Sequence, residues 1–308
     1  MNNRPIKVAV VGVGKLGSRH AEVYSKLPGV ELVGVCDILE HRAKETAAAC
    51  RTRACTDYRE LLPLAQAASI VVPSHEHHRI SKDFLQSGVH LLIEKPITTD
   101  LRQAEELLAL AKEKNLILQV GHIERFNPAI RAVKNVVKTP RFIECHRLGP
   151  YDPRIADVGV TLDLMIHDID IVMDLVRSPV KNIDAVGAFI LSKTEDISNA
   201  RIRFENNTVC NLTASRVTKD TMRKIRIFQD DAYISIDTIA QETLIYTKEN
   251  GAIHHKKIDI AKSDSLKEEL FDFIDCVRTG RRPLVSGEEA KAALALALQI
   301  SEQIRRQP

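Results

Sequence analysis

The sequence predicts an α/β protein: a doubly wound parallel sheet first, then an α+β region built on a mostly antiparallel open sheet. Three observations carry that expectation. From Ile6 to about Leu118 short apolar runs alternate with helix-patterned stretches, as in successive βαβ units. A glycine-rich turn follows the first apolar run and opens the first helix. After Val120 the texture changes to β-branched segments with little helix between them.

In the first part the expected strands are Lys7–Val11, Glu31–Val35, Ser69–Val72, His90–Ile93 and Ile117–Val120. Helices are expected at Gly17–Ser25, Leu39–Ala49, Tyr58–Leu62, His77–Ser87 and Leu101–Glu113, the last behind a Thr98-Thr99-Asp100 cap. Pro128 favours a helical first turn. Beyond it, strands are expected at Phe142–Arg147, Val180–Ile190, Asn199–Phe204, Thr208–Arg216, Lys224–Gln229, Ala232–Asp237 and Glu242–Tyr246, with one helix, Leu162–Val176, among them. Ser265–Arg278 and Gly287–Arg305 return to helix.

A length of 308 residues suits two domains, expected at 1–121 and 122–308, with the last helix packing back on the first. Hydrophobic residues make up 44% and charged residues 28%, so the chain is expected to fold throughout. The charge is nearly balanced at +3 without a basic run, which excludes a nucleic-acid tail. Met1–Lys7 has no apolar signal core, and Val8–Val13 is far shorter than the roughly 20 residues of a membrane helix. A cytoplasmic protein is expected. The cysteines, Cys36, Cys50, Cys55, Cys145, Cys210 and Cys276, show no C-x-x-C spacing and read as reduced thiols.

Gly12-Val13-Gly14-Lys15-Leu16-Gly17 stands between a buried strand and a helix, the setting that a dinucleotide-binding Rossmann turn requires. The first glycine permits the turn, the second admits a pyrophosphate to the backbone, and the third lets helix and strand approach. Asp37 stands about 20 residues beyond the last glycine, where a carboxylate accepts from the adenosine ribose hydroxyls and repels a 2′-phosphate. NAD is therefore the expected cofactor. Glu94-Lys95-Pro96 follows the fourth predicted strand, at the carboxyl edge where ligands of such sheets bind. A lysine there can reach a nicotinamide and a substrate hydroxyl. Asp163 and His167 are four apart on the inserted helix, a spacing that suits an oriented general base, or equally a capping Asp beside a surface His. His75-Glu76-His77-His78 has metal-ligand chemistry, but no further ligand set accompanies it, and no metal is expected.

These residues together resemble the glucose-fructose oxidoreductase, inositol dehydrogenase and MocA family of two-domain oxidoreductases. The resemblance runs from Gly12 through Glu94-Lys95-Pro96 and Gly121-His122-Ile123-Glu124-Arg125-Phe126-Asn127-Pro128 to Asp163, His167 and a turn at Gly287. It implies that His167 is the acid/base, that Lys95 polarises the reacting hydroxyl, and that Asp163 tunes the histidine or contacts substrate. It also implies a loop Pro73-Ser74-His75 beside the dinucleotide, with His78 as the family's histidine; Val72-Pro73-Ser74 departs from the T-P-N or T-P-T of many members. Cofactor contacts are thus expected from Gly12, Gly14, Lys15, Leu16, Gly17, Asp37, Pro73, Ser74, His75, His78, Glu94 and Lys95.

The Gly121–Pro128 stretch resembles members that act on nucleotide-linked sugars. Arg125 and Asn127 then become candidates for sugar hydroxyls or a diphosphate, with an interdomain salt-bridged hinge as the other reading, and Arg154 a further candidate for an anionic group. The expected reaction is oxidation of a secondary sugar hydroxyl by NAD, at C3 of a UDP-N-acetylhexosamine. Alternatives are a dehydrogenase of a free polyol, inositol or monosaccharide, and a non-catalytic dinucleotide sensor, against which Lys95 and His167 both speak. The resemblance further implies a homodimer or homotetramer, while the balanced charge and the short apolar runs leave no nucleic-acid or membrane partner expected.

Overall fold

The computed structural model describes residues 4–152, 158–249 and 252–306. Its contacts divide the chain into two compact units: Met1–Ile123 with Leu266–Lys291, and Glu124–Ser265 with Ala292–Pro308.

In the first unit β1 (Ile6–Val11), β2 (Val30–Cys36), β3 (Ala54–Cys55), β4 (Ala67–Ile70), β5 (His90–Glu94) and β6 (Leu118–Gly121) form one parallel sheet in the order β3-β2-β1-β4-β5-β6. Helices α1 (Lys15–Lys26), α2 (Glu40–Cys50), α3 (Ser74–Gln86) and α4 (Leu101–Glu113) join successive strands. Val8 to Val11 are all buried, without alternation, because helices cover both faces of such a sheet. Asp100 caps α4 by accepting from the N–H groups of Arg102 and Gln103 at 2.8 and 3.3 Å. The strand order reverses between β1 and β4. That reversal opens a crevice at the carboxyl ends of the strands.

In the second unit α5 (Pro128–Val133) starts on Asn127, whose side chain accepts from Ala129 N–H, with Pro128 in the first turn. Eight strands follow: β7 (Phe142–Leu148), β8 (Val180–Ala188), β9 (Ile197–Phe204), β10 (Val209–Ser215), β11 (Met222–Phe228), β12 (Tyr233–Asp237), β13 (Glu242–Glu249) and β14 (Ala252–Lys257). Their order is β14-β13-β12-β11-β7-β10-β9-β8. Every neighbouring pair is antiparallel except β7 and β10. Helix α6 (Ile166–Val176) lies between β7 and β8 in sequence. Ile143, Leu212, Ile225 and Ile234 point into a core shared with Ile166 and Ile169. On the other face Phe142, Phe228, Tyr233, Tyr246 and His255 form a cross-strand aromatic row with centroid spacings of 4.8–5.8 Å.

Helix α7 (Ser265–Thr279) sends Leu266, Leu270, Phe273 and Ile274 into the core of the first unit, beside Val8 and Val10. The final helix, α8 (Gly287–Arg305), begins in the first unit and continues in the second, where Ala297 and Ile300 enter the core. Two strands, β3 and β14, were not expected from the sequence. The strand expected to run to Ile190 stops at Ala188, because the Asp196 carboxylate draws the N–H groups of Ile190, Leu191 and Ser192 out of the ladder.

Candidate active site

The glycine turn is built as its sequence requires. Gly12 has φ +85°, and a Cβ there would fall 2.5 Å from the Val71 carbonyl oxygen. A Cβ on Gly17 would fall 1.8 Å from the Gly12 oxygen, so only hydrogen permits α1 to approach the turn. Gly14 faces open space and is the cap residue of α1, with no side-chain cap and no acidic residue in the first turn. Lys15 and Leu16 are exposed in that turn. The helix start thus offers N–H groups and positive dipole to a pyrophosphate.

Asp37 directly follows β2 and is 8% exposed. Its carboxylate accepts from Val13 N–H and Leu39 N–H, each at 2.9 Å, which ties the glycine turn to the neck of α2. Each oxygen retains acceptor capacity for a ribose hydroxyl. A cleft of about 810 Å³, lined by Gly12, Gly14, Asp37, Val72, Pro73 and His75 among others, opens here. That volume is within the range of small-molecule and cofactor sites.

Arg42, Arg59 and Arg79 also line this cleft and were not expected from the sequence. Arg59 and Arg79 lie 5.1 and 5.5 Å from the Tyr58 ring centroid, and the Tyr58 hydroxyl donates to Asp83 at 2.6 Å. Burial and Asp83 raise the Tyr58 pKa. Only their common address on one cleft wall, invisible in spacing, unites these residues.

The Pro73-Ser74-His75 segment needs correction. Ser74 and His75 do not lie on a loop; they begin α3, directly behind Pro73. His78 is not turned to the cofactor cleft either, since its Nε2 meets Glu106 of α4 at 2.7 Å. Its neighbour His77 is turned inward. It is 1% exposed, with Nδ1 2.9 Å from the Pro96 carbonyl and Nε2 2.9 Å from the Val72 carbonyl. It therefore links the loops that follow β4 and β5. Burial lowers its pKa despite those two carbonyls.

Glu94 ends β5, and its described contacts are with neighbouring elements rather than with the cleft. One oxygen lies 3.3 Å from Nε2 of fully buried His20, and the other accepts from Lys95 N–H at 3.2 Å. Burial opposes its charge, but His20 and Lys95 together hold the carboxyl below the ordinary range. Gly121 leaves room for it, as a Cβ would stand 2.7 Å from Glu94 Oε1. Lys95, half-buried, precedes Pro96 through a cis peptide bond.

In the second unit Asp163 lies in a π-helical turn, Thr161–Met165, and His167 in the first turn of α6. Both are half-buried, as are Leu162 and Leu164, whereas Met165 and Ile166 between them are buried. Inserted π turns often mark functional positions.

Arg125 and Asn127 are both buried and bound to other parts of the protein. Arg125 is 2% exposed, and its guanidinium meets Asp170 at 3.3 Å and Asp174 at 2.9 Å, both on α6. Asn127 is 5% exposed, caps α5 and donates to the Thr238 carbonyl at 2.9 Å. These described contacts all lie within the second unit. Beside them Arg147 binds Asp168 through two nitrogens, at 2.8 and 3.1 Å, and Glu124 at 2.9 Å. Arg154 lies outside the described residues. Among the described residues no group of three or more His, Cys, Asp or Glu could hold a metal ion, and no helix is long and apolar enough to cross a membrane.

A glycine turn on a strand-order reversal, an acid at the end of β2 and a ligand-sized cleft define a dinucleotide-binding oxidoreductase fold. Residues 6–122 match the GFO/IDH/MocA oxidoreductase family with its NAD-binding Rossmann fold, and residues 134–235 match the GFO/IDH/MocA C-terminal domain. The chain belongs to this family. It is 37% identical over 302 residues, 96% of each chain, to the UDP-N-acetylglucosamine 3-dehydrogenase of Acidithiobacillus ferrooxidans. A solved structure of that enzyme superposes with a TM-score of 0.92 at 36% identity, covering 97% of this chain and 98% of that one. The myo-inositol 2-dehydrogenase of Thermotoga maritima is 25% identical over 313 residues, 94% of each chain. A scyllo-inositol dehydrogenase from Lactobacillus casei, solved with NAD(H) and scyllo-inositol, shares the fold with a TM-score of 0.84 at 19% identity, covering 98% of each chain.

Proposed function

We propose that this enzyme oxidises a secondary hydroxyl of a nucleotide-linked sugar, the 3-hydroxyl of a UDP-N-acetylhexosamine, with NAD. The observation that carries the substrate class is 37% identity, across 96% of both chains, to an enzyme named for that activity. Gly12, Gly14, Lys15, Leu16 and Gly17 hold the pyrophosphate at the start of α1, and Asp37 accepts from the adenosine ribose. Pro73, Ser74 and His75 flank the cofactor. NAD supplies the hydride acceptor.

The chain's own residues handle the proton. His167 takes the proton of the reacting hydroxyl as the C–H bond yields its electron pair, and Asp163 orients the imidazole or contacts the sugar. Lys95 donates a hydrogen bond to the same hydroxyl oxygen and stabilises the charge that develops there. Glu94 and His77 keep the Lys95 loop in place.

The enzyme works as a homo-oligomer. The aromatic row of the open sheet supports this: Phe228 is 37% exposed and stacks with partly exposed Tyr233, an apolar stripe suited to a second copy.

The test incubates purified enzyme and NAD with UDP-N-acetylglucosamine, UDP-N-acetylgalactosamine, UDP-glucose, myo-inositol and glucose. NADH absorbance and product mass are followed together, since retained NADH would escape the absorbance trace. Oxidation of a UDP-N-acetylhexosamine at C3 supports the reading. Oxidation of inositol or glucose alone selects the free-polyol alternative.

A further inference from the structure

The segment that leads into the Asp163 turn is seated on a buried ionic loop. Arg216 follows β10 and is 2% exposed; Asp196, just before β9, is fully buried. The guanidinium spends its nitrogens on four acceptors. Its Nε donates to Asp196 Oδ1 at 2.7 Å, and one terminal nitrogen donates to Ser192 Oγ and Thr194 Oγ1 at 2.7 and 2.8 Å. The other terminal nitrogen donates to the Val158 carbonyl at 2.7 Å.

Glu195 completes the seat. Its backbone carbonyl accepts from Val160 N–H at 2.9 Å, and its fully buried carboxylate lies against Gly159, where a Cβ would fall 2.2 Å from Oε1. Ser301 of α8 donates to the same oxygen at 3.1 Å. Val158, Gly159 and Val160 are thus each held by the loop. The Gly159 carbonyl in turn accepts from Asp163 N–H at 3.0 Å and from Leu162 N–H at 3.1 Å. Hydrogen bonds joined through the Val158–Gly159 peptide link thus connect Arg216 to the backbone of Asp163.

We infer that Arg216, with Asp196 and Glu195, is a positioning residue for the reaction: it sets the π-helical turn and so the direction of Asp163 toward its neighbour His167. The inference rests on the roles given to Asp163 and His167 above. A lysine cannot reproduce it, because one ammonium cannot reach the Val158 carbonyl and the loop acceptors with the fixed fork of a guanidinium. The turn is sensitive to such support, since displacement of a reacting group by about 1 Å can cost 100-fold in rate.

The experiment compares Arg216→Lys, Asp163→Asn and the double variant in the full-length enzyme, with circular dichroism and NAD affinity as controls. Arg216→Lys is expected to fold, to keep its NAD Kd within about 2-fold, and to lose roughly 10–100-fold in kcat with a displaced acidic limb of the pH profile. In the Asp163→Asn background the same substitution is expected to cost under about 3-fold, as for two residues acting in series. Gly159→Ala, which displaces Glu195 without removing a charge, is expected to give the same kcat-specific loss. It replaces Arg216→Lys if that variant does not fold. An unchanged kcat in the folded variant, or losses that multiply fully, overturns the inference while leaving the assigned function intact. Wild-type activity in Asp163→Asn overturns the role of Asp163 itself, and the inference with it.

Discussion

Asp37 has two tasks, one within the protein and one toward the cofactor. It accepts from Val13 and Leu39 N–H groups within the protein, and the proposal gives it the ribose hydroxyls as well. Asp37→Ala is expected to raise the NAD Kd at least about 10-fold, the loss of a charged hydrogen bond being worth roughly 1.5–3 kcal/mol, while kcat at saturating NAD changes little. His167→Ala and Lys95→Ala should show the reverse, with kcat lower by about 100- to 10,000-fold and NAD affinity retained; isothermal titration and steady-state kinetics separate the two. Asp196 gives a pH signature. Burial alone would raise its pKa, but the Leu191 and Ile190 N–H groups, Arg216 and Ser192 outweigh burial and hold the carboxyl well below the ordinary range. The unfolded chain therefore binds this proton first. Its stabilisation is fully present above about pH 4 and is lost as pH falls toward the native pKa, so the urea midpoint of wild type should drop more steeply below pH 4 than that of Asp196→Asn. Position in the fold was legible where spacing carried it, as for the Gly12 turn after β1 and Asp37 after β2. Spacing misled where a helix phase decided, since one position separates buried His77 from His78, and where partners lay far off in sequence, as with Arg125 and Asp170.

At the scale of elements, the turn from β1 into α1 permits no added carbon at Gly17. Gly17→Ala must push α1 off the Gly12 carbonyl, and a loss of about 1–3 kcal/mol in stability, read by thermal or urea unfolding, is expected together with weaker NAD binding. Gly14→Ala meets no neighbour and should leave stability nearly unchanged, so the two glycines can be told apart. The sequence announces β1, β2 and β5 because buried apolar runs and their following glycine or acid are local signals. It is silent on β3 because two residues carry no periodicity, and on β14 because Ala252–Lys257 is exposed throughout and shows no alternation. The π turn was equally hidden. The composition of Thr161–Met165 carries no local signal for it, and the inference above gives its support to Gly159 and the loop below.

At the scale of the molecule, the aromatic row across β7, β11, β12, β13 and β14 gives the oligomer proposal its own test. Tyr233→Lys with Tyr246→Glu should yield monomers by analytical ultracentrifugation without unfolding, since both side chains lie on the face opposite the Ile234 and Ile236 core. Mass unchanged from wild type would place the contact elsewhere. The fold class was legible because both sheets follow from local pattern. The route of the chain was not, since nothing in Ser265–Thr279 says which core its apolar face will enter. That route has a consequence for biosynthesis. Leu266, Leu270, Phe273 and Ile274 complete a core whose other side is Val8 and Val10. A nascent chain emerging from the ribosome can build most of its first sheet early, yet must leave that apolar flank uncovered until α7 is made. At about 5–20 residues per second the wait is on the order of ten seconds or more, an interval in which a chaperone would have an exposed strip to hold.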